Sequence, residues 1–101
     1  MQNKNSKILA LQSKKIPPQA IDFEEGVLGA LMIDKNATGI AIEILSAECF
    51  YKEKHQEIFQ VLLELFNDAE PIDLLTVTDK LRKNGKLKMC GGEVYLAELT
   101  Q

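Results

Sequence analysis

The clearest feature of the chain is a helical repeat of apolar residues over positions 53–67. Its members fall at i, i+1, i+4, i+7 and i+8, and they are Ile58, Phe59, Leu62, Leu65 and Phe66. A second stripe lies over residues 20–33, and its members are Ile21, Leu28, Leu31 and Met32. A third lies over residues 37–45, and its members are Ala37, Ile40, Ala41, Ile44 and Leu45. Because residues three and four apart share one face of a helix, the spacing predicts three amphipathic helices.

Capping and turn residues predict a fourth and a fifth helix, and they also predict where the second helix starts. Asn36 is the expected N-cap of the second helix. Thr76 with Asp79 resembles the capping box of a fourth helix that ends near Asn84. A fifth helix is expected over about residues 93–100. Since no segment alternates convincingly with period two, the predicted fold class is all-α, a small orthogonal bundle of about five helices.

The first predicted helix carries features that bear on packing. Gly26 and Gly29 lie inside it, and each costs about 1 kcal/mol relative to Ala, so we expect them to let another helix approach closely. Glu24 and Glu25 are expected to face solvent. The two strongest stripes predict a core that contains Leu28, Leu31, Ile58, Phe59, Leu62 and Phe66.

The chain is expected to hold one domain and a flexible N-terminal arm. Residues 1–16 are rich in Lys, Asn, Ser and Gln and are closed by Pro17-Pro18, which places the domain at 17–101. Gln101 arrives in mid-pattern without a Gly or Pro stop, so we expect the chain to be cut from something longer. It lacks an apolar run of eighteen residues and a secretory leader, which predicts a cytoplasmic protein without a membrane span.

The charge is uneven and does not favour nucleic acid as the default partner. The net charge is −3, with four Lys and no acid in residues 1–21 and twelve acids in residues 22–73. The best basic stretch is Lys80, Arg82, Lys83, Lys86 and Lys88. The fourth and fifth helices could imitate a helix-turn-helix, but the second of them carries Glu93 and Glu98, which phosphates would repel.

The residues that could carry catalysis or bind metal form no recognisable site. Gly85-Lys86 is not followed by Ser or Thr, so the phosphate-binding loop of nucleotide hydrolases is absent. The spacing of Cys49, His55 and Cys90 matches no zinc pattern, and the two thiols are expected to be reduced and mostly buried. The single histidine is expected to pack or to hydrogen-bond locally in the first turn of its helix. We therefore expect no catalytic, cofactor or metal site.

Four ordered sequence blocks resemble the opening of DnaB-type replicative DNA helicases. They are Pro17-Pro18-Gln19-Ala20-Ile21-Asp22-Phe23-Glu24 with Val27-Leu28-Gly29-Ala30-Leu31-Met32, Phe50-Tyr51 with His55-Gln56 and Ile58-Phe59, Glu70-Pro71-Ile72-Asp73-Leu74 with Thr76-Val77, and Gly91-Gly92 with Tyr95-Leu96-Ala97-Glu98-Leu99. They cover residues 17–99. Gly26 departs from the family, which usually has Ala or Ser there, and the N-terminal arm matches nothing particular.

The resemblance implies an N-terminal collar domain that stops before the last head helix, the helical hairpin and the RecA-like ATPase of the family. The parent protein would be an ATP-dependent 5'-3' DNA helicase that uses ATP and Mg²⁺, whereas this fragment would not be an enzyme. The implied partners are the helicase-binding domain of primase, other helicase subunits in a hexamer and, in some bacteria, the helicase loader. DNA would be contacted only through the full-length protein.

The resemblance places primase contacts at two positions of this chain, Asp22 and Tyr95. The alternative is that Asp22 is an acid at a helix start and that Tyr95 is a half-buried core aromatic. Two other functions remain open, namely a free-standing interaction module and a helix-turn-helix DNA-binding domain.

Overall fold

The computed structural model describes residues 17–101, which form five α-helices and one 3₁₀ turn without a strand in that range. The helices are α1 (Pro18–Ile33), α2 (Lys35–Ile44), α3 (Glu53–Asn67), α4 (Leu74–Lys83) and α5 (Gly92–Leu99), and the 3₁₀ turn is Ala47–Cys49. The all-α prediction is confirmed. The expected arm, residues 1–16, lies outside the described residues. None of the described helices is long and apolar enough to cross a membrane.

Two predicted helix starts were wrong, and in both the capping residue is an aspartate that lies earlier in the chain. The N-cap of α2 is Asp34, whose carboxylate accepts the N–H of Asn36 at 3.0 Å. The N-cap of α4 is Asp73, which accepts the N–H of Thr76 at 2.9 Å, while the Thr76 hydroxyl accepts the N–H of Asp73 at 3.0 Å. Thr76 is therefore the second member of the capping box, and the predicted partner Asp79 pairs with Lys83 instead.

The core is built around α3, which contacts α1, α2, α4 and the 3₁₀ turn. Leu28, Leu31, Ile58, Phe59 and Leu62 are buried, as the helical repeats predict. These side chains pack with Phe50, Val77, Leu81 and Leu96 from the other elements. Burial of Phe66 was predicted wrongly: it lies in the last turn of α3 beside Gly39 and keeps 43% of its surface exposed.

The apolar stripe predicted for α2 is only partly buried. Ile40 and Ile44 are exposed, whereas Ala37 and Ala41 are partly buried against the core. The residue of α2 that is fully buried is Thr38, whose hydroxyl donates to the carbonyl oxygen of Leu31 at 2.9 Å. Leu45, the C-cap of α2 and a member of the same stripe, is also partly buried, so α2 packs on the core through part of the predicted stripe and through Thr38.

Helices α1 and α5 run in the same direction in close contact. Glu25 is hydrogen-bonded to Tyr95, and four residues further along both helices Gly29 meets Leu99. A Cβ at Gly29 would lie 1.8 Å from the carbonyl oxygen of Leu99, so the expected close approach is confirmed there. At Gly26 it was wrong, because a Cβ would meet nothing within 4 Å.

Candidate functional site

A buried carboxylate and a buried imidazole join α1 to α3. Glu24 is 7% exposed and His55 is 0% exposed, and Oε1 of Glu24 lies 2.7 Å from Nδ1 of His55. The other carboxylate oxygen accepts the N–H of Tyr51 at 2.6 Å. These contacts satisfy a charged group that burial would otherwise destabilise strongly. The expectation that Glu24 faces solvent was wrong.

The imidazole of His55 also contacts α5. Its Nε2 lies 2.6 Å from the hydroxyl oxygen of Tyr95, and the Tyr95 hydroxyl donates to Oε2 of Glu25 at 2.7 Å. Glu24, His55, Tyr95 and Glu25 thus form a polar chain of side chains that joins α1, α3 and α5. His55 was expected to pack or to hydrogen-bond locally, and it is indeed fully buried, but its hydrogen-bond partners lie 31 and 40 residues away in sequence.

The surroundings of Tyr95 hold its ring in place and keep its hydroxyl protonated. The ammonium of Lys54 lies 3.8 Å from the ring centroid, and the imidazole of His55 is stacked nearly parallel to the ring. Gly91, with a φ of 101°, lies so close that a Cβ there would be 2.8 Å from the Tyr95 side chain. Burial, the hydrogen bond to Glu25 and the nearby carboxylates raise the pKa of Tyr95 well above its usual value.

The polar chain opens onto an acidic groove between α1 and α5. The groove encloses about 200 Å³ and is lined by Glu25, Gly26, Tyr95, Glu98, Leu99 and Gln101. Asp22 is exposed one turn before Glu25 on α1 but is not among the lining residues. Phe23 and Val94, the neighbours of Asp22 and Tyr95 in sequence, are also exposed. The structure thus places Tyr95 in the groove and leaves Asp22 on the adjoining surface of α1.

Sequence reasoning missed the roles of Glu24 and His55, although a signal for both is present. Glu24 falls three residues after Ile21 and four before Leu28, and His55 falls three residues before Ile58. Both polar residues therefore occupy positions on the apolar stripes of their helices. A polar residue in such a position is buried, and a buried polar residue needs a partner on another element.

The basic stretch considered for DNA binding is largely neutralised by acidic side chains. The ammonium of Lys83 lies 3.2 Å from Asp79, and that of Lys86 lies 3.4 Å from Glu57. Arg82 is hydrogen-bonded to Glu93 of α5. These pairings leave less positive charge for phosphates, which weakens the helix-turn-helix alternative.

The described residues hold no cluster of three or more His, Cys, Asp or Glu side chains suited to a metal ion. Of the two thiols, Cys90 is buried and Cys49 is exposed, so the expectation of two buried thiols was half right. The Cys90 thiol donates to the carbonyl oxygen of Lys54 at 3.6 Å.

The fold and this surface can be compared with known proteins. The family model of the DnaB-like helicase N terminal domain matches residues 16–101. The chain belongs to this family. The Replicative DNA helicase DnaB of Rhodothermus marinus is 46% identical over 89 residues, which is 88% of this chain and 10% of that relative. The DnaB of Geobacillus stearothermophilus is also 46% identical over 89 residues, which is 20% of its length.

A solved structure of the same family supports the architecture. The crystal structure of the N-terminal domain of DnaB helicase from Mycobacterium tuberculosis matches with a TM-score of 0.74 and 35% sequence identity. The match covers 76% of this chain and 56% of that one. The chain is thus an N-terminal domain of the replicative DnaB-like helicases, and it spans 10% and 20% of the length of the two relatives.

Proposed function

We propose that this domain serves in the N-terminal collar of a replicative DNA helicase, where it docks the helicase-binding domain of primase and helps to assemble the ring of subunits. Family membership supports the setting. The observation that carries the docking role is Tyr95, an aromatic side chain of α5 that is held by hydrogen bonds from α1 and α3 and lines an acidic groove. A helicase loader would be a further partner of the collar in some bacteria.

The chemistry of the α1–α5 surface suits a protein partner with basic side chains. Tyrosine brings a large, rigid apolar area together with a hydroxyl group, which is why it is common among the residues that dominate binding. Phe23 and Val94 are 75% and 72% exposed and extend the apolar area. Asp22, Glu25 and Glu98 surround it with negative charge, which favours a positively charged partner.

Enzymatic activity would belong to other parts of the parent protein. We propose that the parent is an ATP-dependent 5'-3' DNA helicase whose ATP and Mg²⁺ are bound outside the matched region, and that DNA is contacted through the full-length protein. The absence of a phosphate-binding loop in the 101-residue sequence supports this division.

Titration calorimetry with the helicase-binding domain of primase tests the docking role. Tyr95→Ala should weaken binding by about 1–3 kcal/mol if Tyr95 is an anchor. Asp22→Lys reverses a charge beside the groove, so it should weaken binding more at low salt than at high salt. Leu75→Ala is the control, because it removes a large exposed apolar side chain from α4, which does not line the groove.

The result that contradicts the proposal is unchanged affinity in both Tyr95→Ala and Asp22→Lys while circular dichroism shows intact helices. Binding lost equally in Leu75→Ala would place the contact surface on α4 instead. Salt-dependent binding of the isolated chain to duplex DNA would favour the helix-turn-helix alternative.

A further inference from the structure

The polar chain contains three hydrogen bonds, whereas a neutral His55 and a neutral Tyr95 supply hydrogens for only two of them. Three consecutive bonds join Glu24 to His55, His55 to Tyr95 and Tyr95 to Glu25, at 2.7, 2.6 and 2.7 Å. Each bond needs one hydrogen between its two heavy atoms. A neutral imidazole and a phenol bring one each, and the two ionised carboxylates that end the chain bring none. A third hydrogen is therefore required.

The neighbouring groups locate that hydrogen on the imidazole. Glu24 accepts the backbone N–H of Tyr51 at 2.6 Å, and a hydrogen bond to the ionised form favours the carboxylate. The Tyr95 hydroxyl already donates its hydrogen to Glu25. Oε1 of Glu24 also accepts the backbone N–H of Lys52 at 3.5 Å, so both oxygens of Glu24 act as acceptors and the hydrogen between Glu24 and His55 belongs to the imidazole.

The charges that face His55 from each packed element are consistent with a cation. Helix α1 contributes the carboxylates of Glu24 and Glu25, and α5 contributes the neutral hydroxyl of Tyr95. Helix α3 itself contributes the ammonium of Lys54, which lies over the Tyr95 ring. The thiol of Cys90 is neutral, because burial raises its pKa to about 11. Two negative charges thus face one ammonium, and an imidazolium completes the balance.

We propose that His55 is an imidazolium that positions Tyr95, and that loss of its proton breaks one of the two hydrogen bonds that hold the Tyr95 hydroxyl at the α1–α5 surface. The consequence for partner binding rests on the proposed docking function, whereas the protonation itself does not. A neutral His55 that keeps its hydrogen on Nδ1 for Glu24 turns Nε2 into an acceptor. Tyr95 then donates to His55 or to Glu25, and one of the two bonds is lost.

Glu25→Gln removes the need for the third hydrogen and is the decisive variant. An amide at this position can donate to the Tyr95 oxygen, so Tyr95 can donate to Nε2 and a neutral His55 can donate to Glu24. The change is isosteric and affects a partly exposed side chain, so we expect the fold to persist. Circular dichroism checks this.

Nitrogen-15 spectroscopy of the 101-residue chain tests the inference without any partner, and His55 is the single histidine in the sequence, so its signals are unambiguous. At about pH 7, we expect both ring nitrogens of the wild type to carry hydrogen, because both donate in the chain of hydrogen bonds. In Glu25→Gln, we expect the second hydrogen to be lost at a lower pH. A single ring hydrogen in the wild type, or an unchanged titration in the variant, would overturn the inference.

Calorimetry with the helicase-binding domain of primase then separates this inference from the docking function. As pH rises and His55 loses its proton, wild-type affinity should fall about two- to tenfold, the equivalent of one hydrogen bond, and Glu25→Gln should show a flatter profile. Parallel pH profiles in the two proteins would refute the link between the proton and docking. No binding at any pH, with both ring nitrogens protonated, would refute the docking function and leave the positioning of Tyr95 by His55 established.

Discussion

The carbonyl oxygen of Leu99 occupies the space beside Gly29 that a side chain would need. Any residue other than glycine at position 29 would place its Cβ there. The distance to a Cβ built on Gly29 is 1.8 Å, and the obstacle is backbone, which cannot rotate away as a side chain does. This contact sets how closely α5 packs on α1. It therefore also fixes how near Tyr95 comes to Glu25, one turn earlier along both helices.

Gly29→Ala should lower the free energy of unfolding by about 1–3 kcal/mol, because α1 and α5 must move apart. Gly26→Ala is the matched control in the same helix. A Cβ there meets nothing within 4 Å, so this change should raise stability by up to about 1 kcal/mol through helix propensity alone. Urea unfolding followed by circular dichroism measures both. Equal effects of the two substitutions would contradict the close contact at Gly29.

Phe59→Ala should cost about 3–5 kcal/mol, because it empties the centre of the core. The ring of Phe59 is fully buried and lies 5.3 Å from the ring of Phe50. Phe66→Ala removes the same group from a position that is 43% exposed, so its cost should be less than half as large. Thermal unfolding of the two variants provides the comparison, and similar melting temperatures would show that the core is not centred on Phe59.

Asp73→Ala should destabilise the domain by about 0.5–2 kcal/mol, because it leaves the N–H of Thr76 at the start of α4 without its acceptor. Asp79→Ala tests the capping residue that the sequence pattern suggested. Its exposed ion pairs with Arg82 and Lys83 are worth little, so we expect a change within about 0.5 kcal/mol. Denaturant titration measures both, and a larger loss in Asp79→Ala would contradict the observed cap.

The two cysteines should differ sharply in alkylation by iodoacetamide. Burial and the carboxylate of Glu57 raise the pKa of Cys90 to about 11, an effect that Lys86 and Lys54 partly oppose. At pH 8, three units below that value, about 0.1% of Cys90 is thiolate, so the native chain should be modified at the exposed Cys49. Reactivity of Cys90 should rise with pH and on unfolding in urea.

Mass spectrometry of Cys49→Ser provides the control for this experiment. The variant should take no label when native and one label when unfolded. Labelling of the native variant at a rate comparable to that of wild-type Cys49 would show that Cys90 is accessible.

The 101-residue chain should hydrolyse no ATP, because its sequence has no phosphate-binding loop to hold the triphosphate. A phosphate-release assay with Mg²⁺ checks this, and full-length DnaB of a relative serves as the positive control. Hydrolysis that stays with the chain through successive purification steps would contradict the expectation.

Local patterns were sufficient for most of the secondary structure. The repeat over residues 53–67 has the bounds of α3. The buried faces of α1 and α3 were also predicted correctly, and they contain Leu28, Leu31, Ile58 and Phe59. These features depend on which residues recur on one helical face, and this information lies within a few turns of chain. The four sequence blocks likewise sufficed to indicate the family, because they extend over most of the domain.

The tertiary structure alone decided what depends on contacts between distant segments. It buried Glu24 against His55, exposed Phe66 and Ile40, and brought Tyr95 within 2.7 Å of a carboxylate seventy residues earlier in the chain. A helical stripe indicates that one face is apolar, but it does not indicate which element packs on that face or how much of the face is buried. For this reason the sequence could indicate Tyr95, and only the packing of α5 on α1, together with the side chains that α3 extends to Tyr95, shows what holds it.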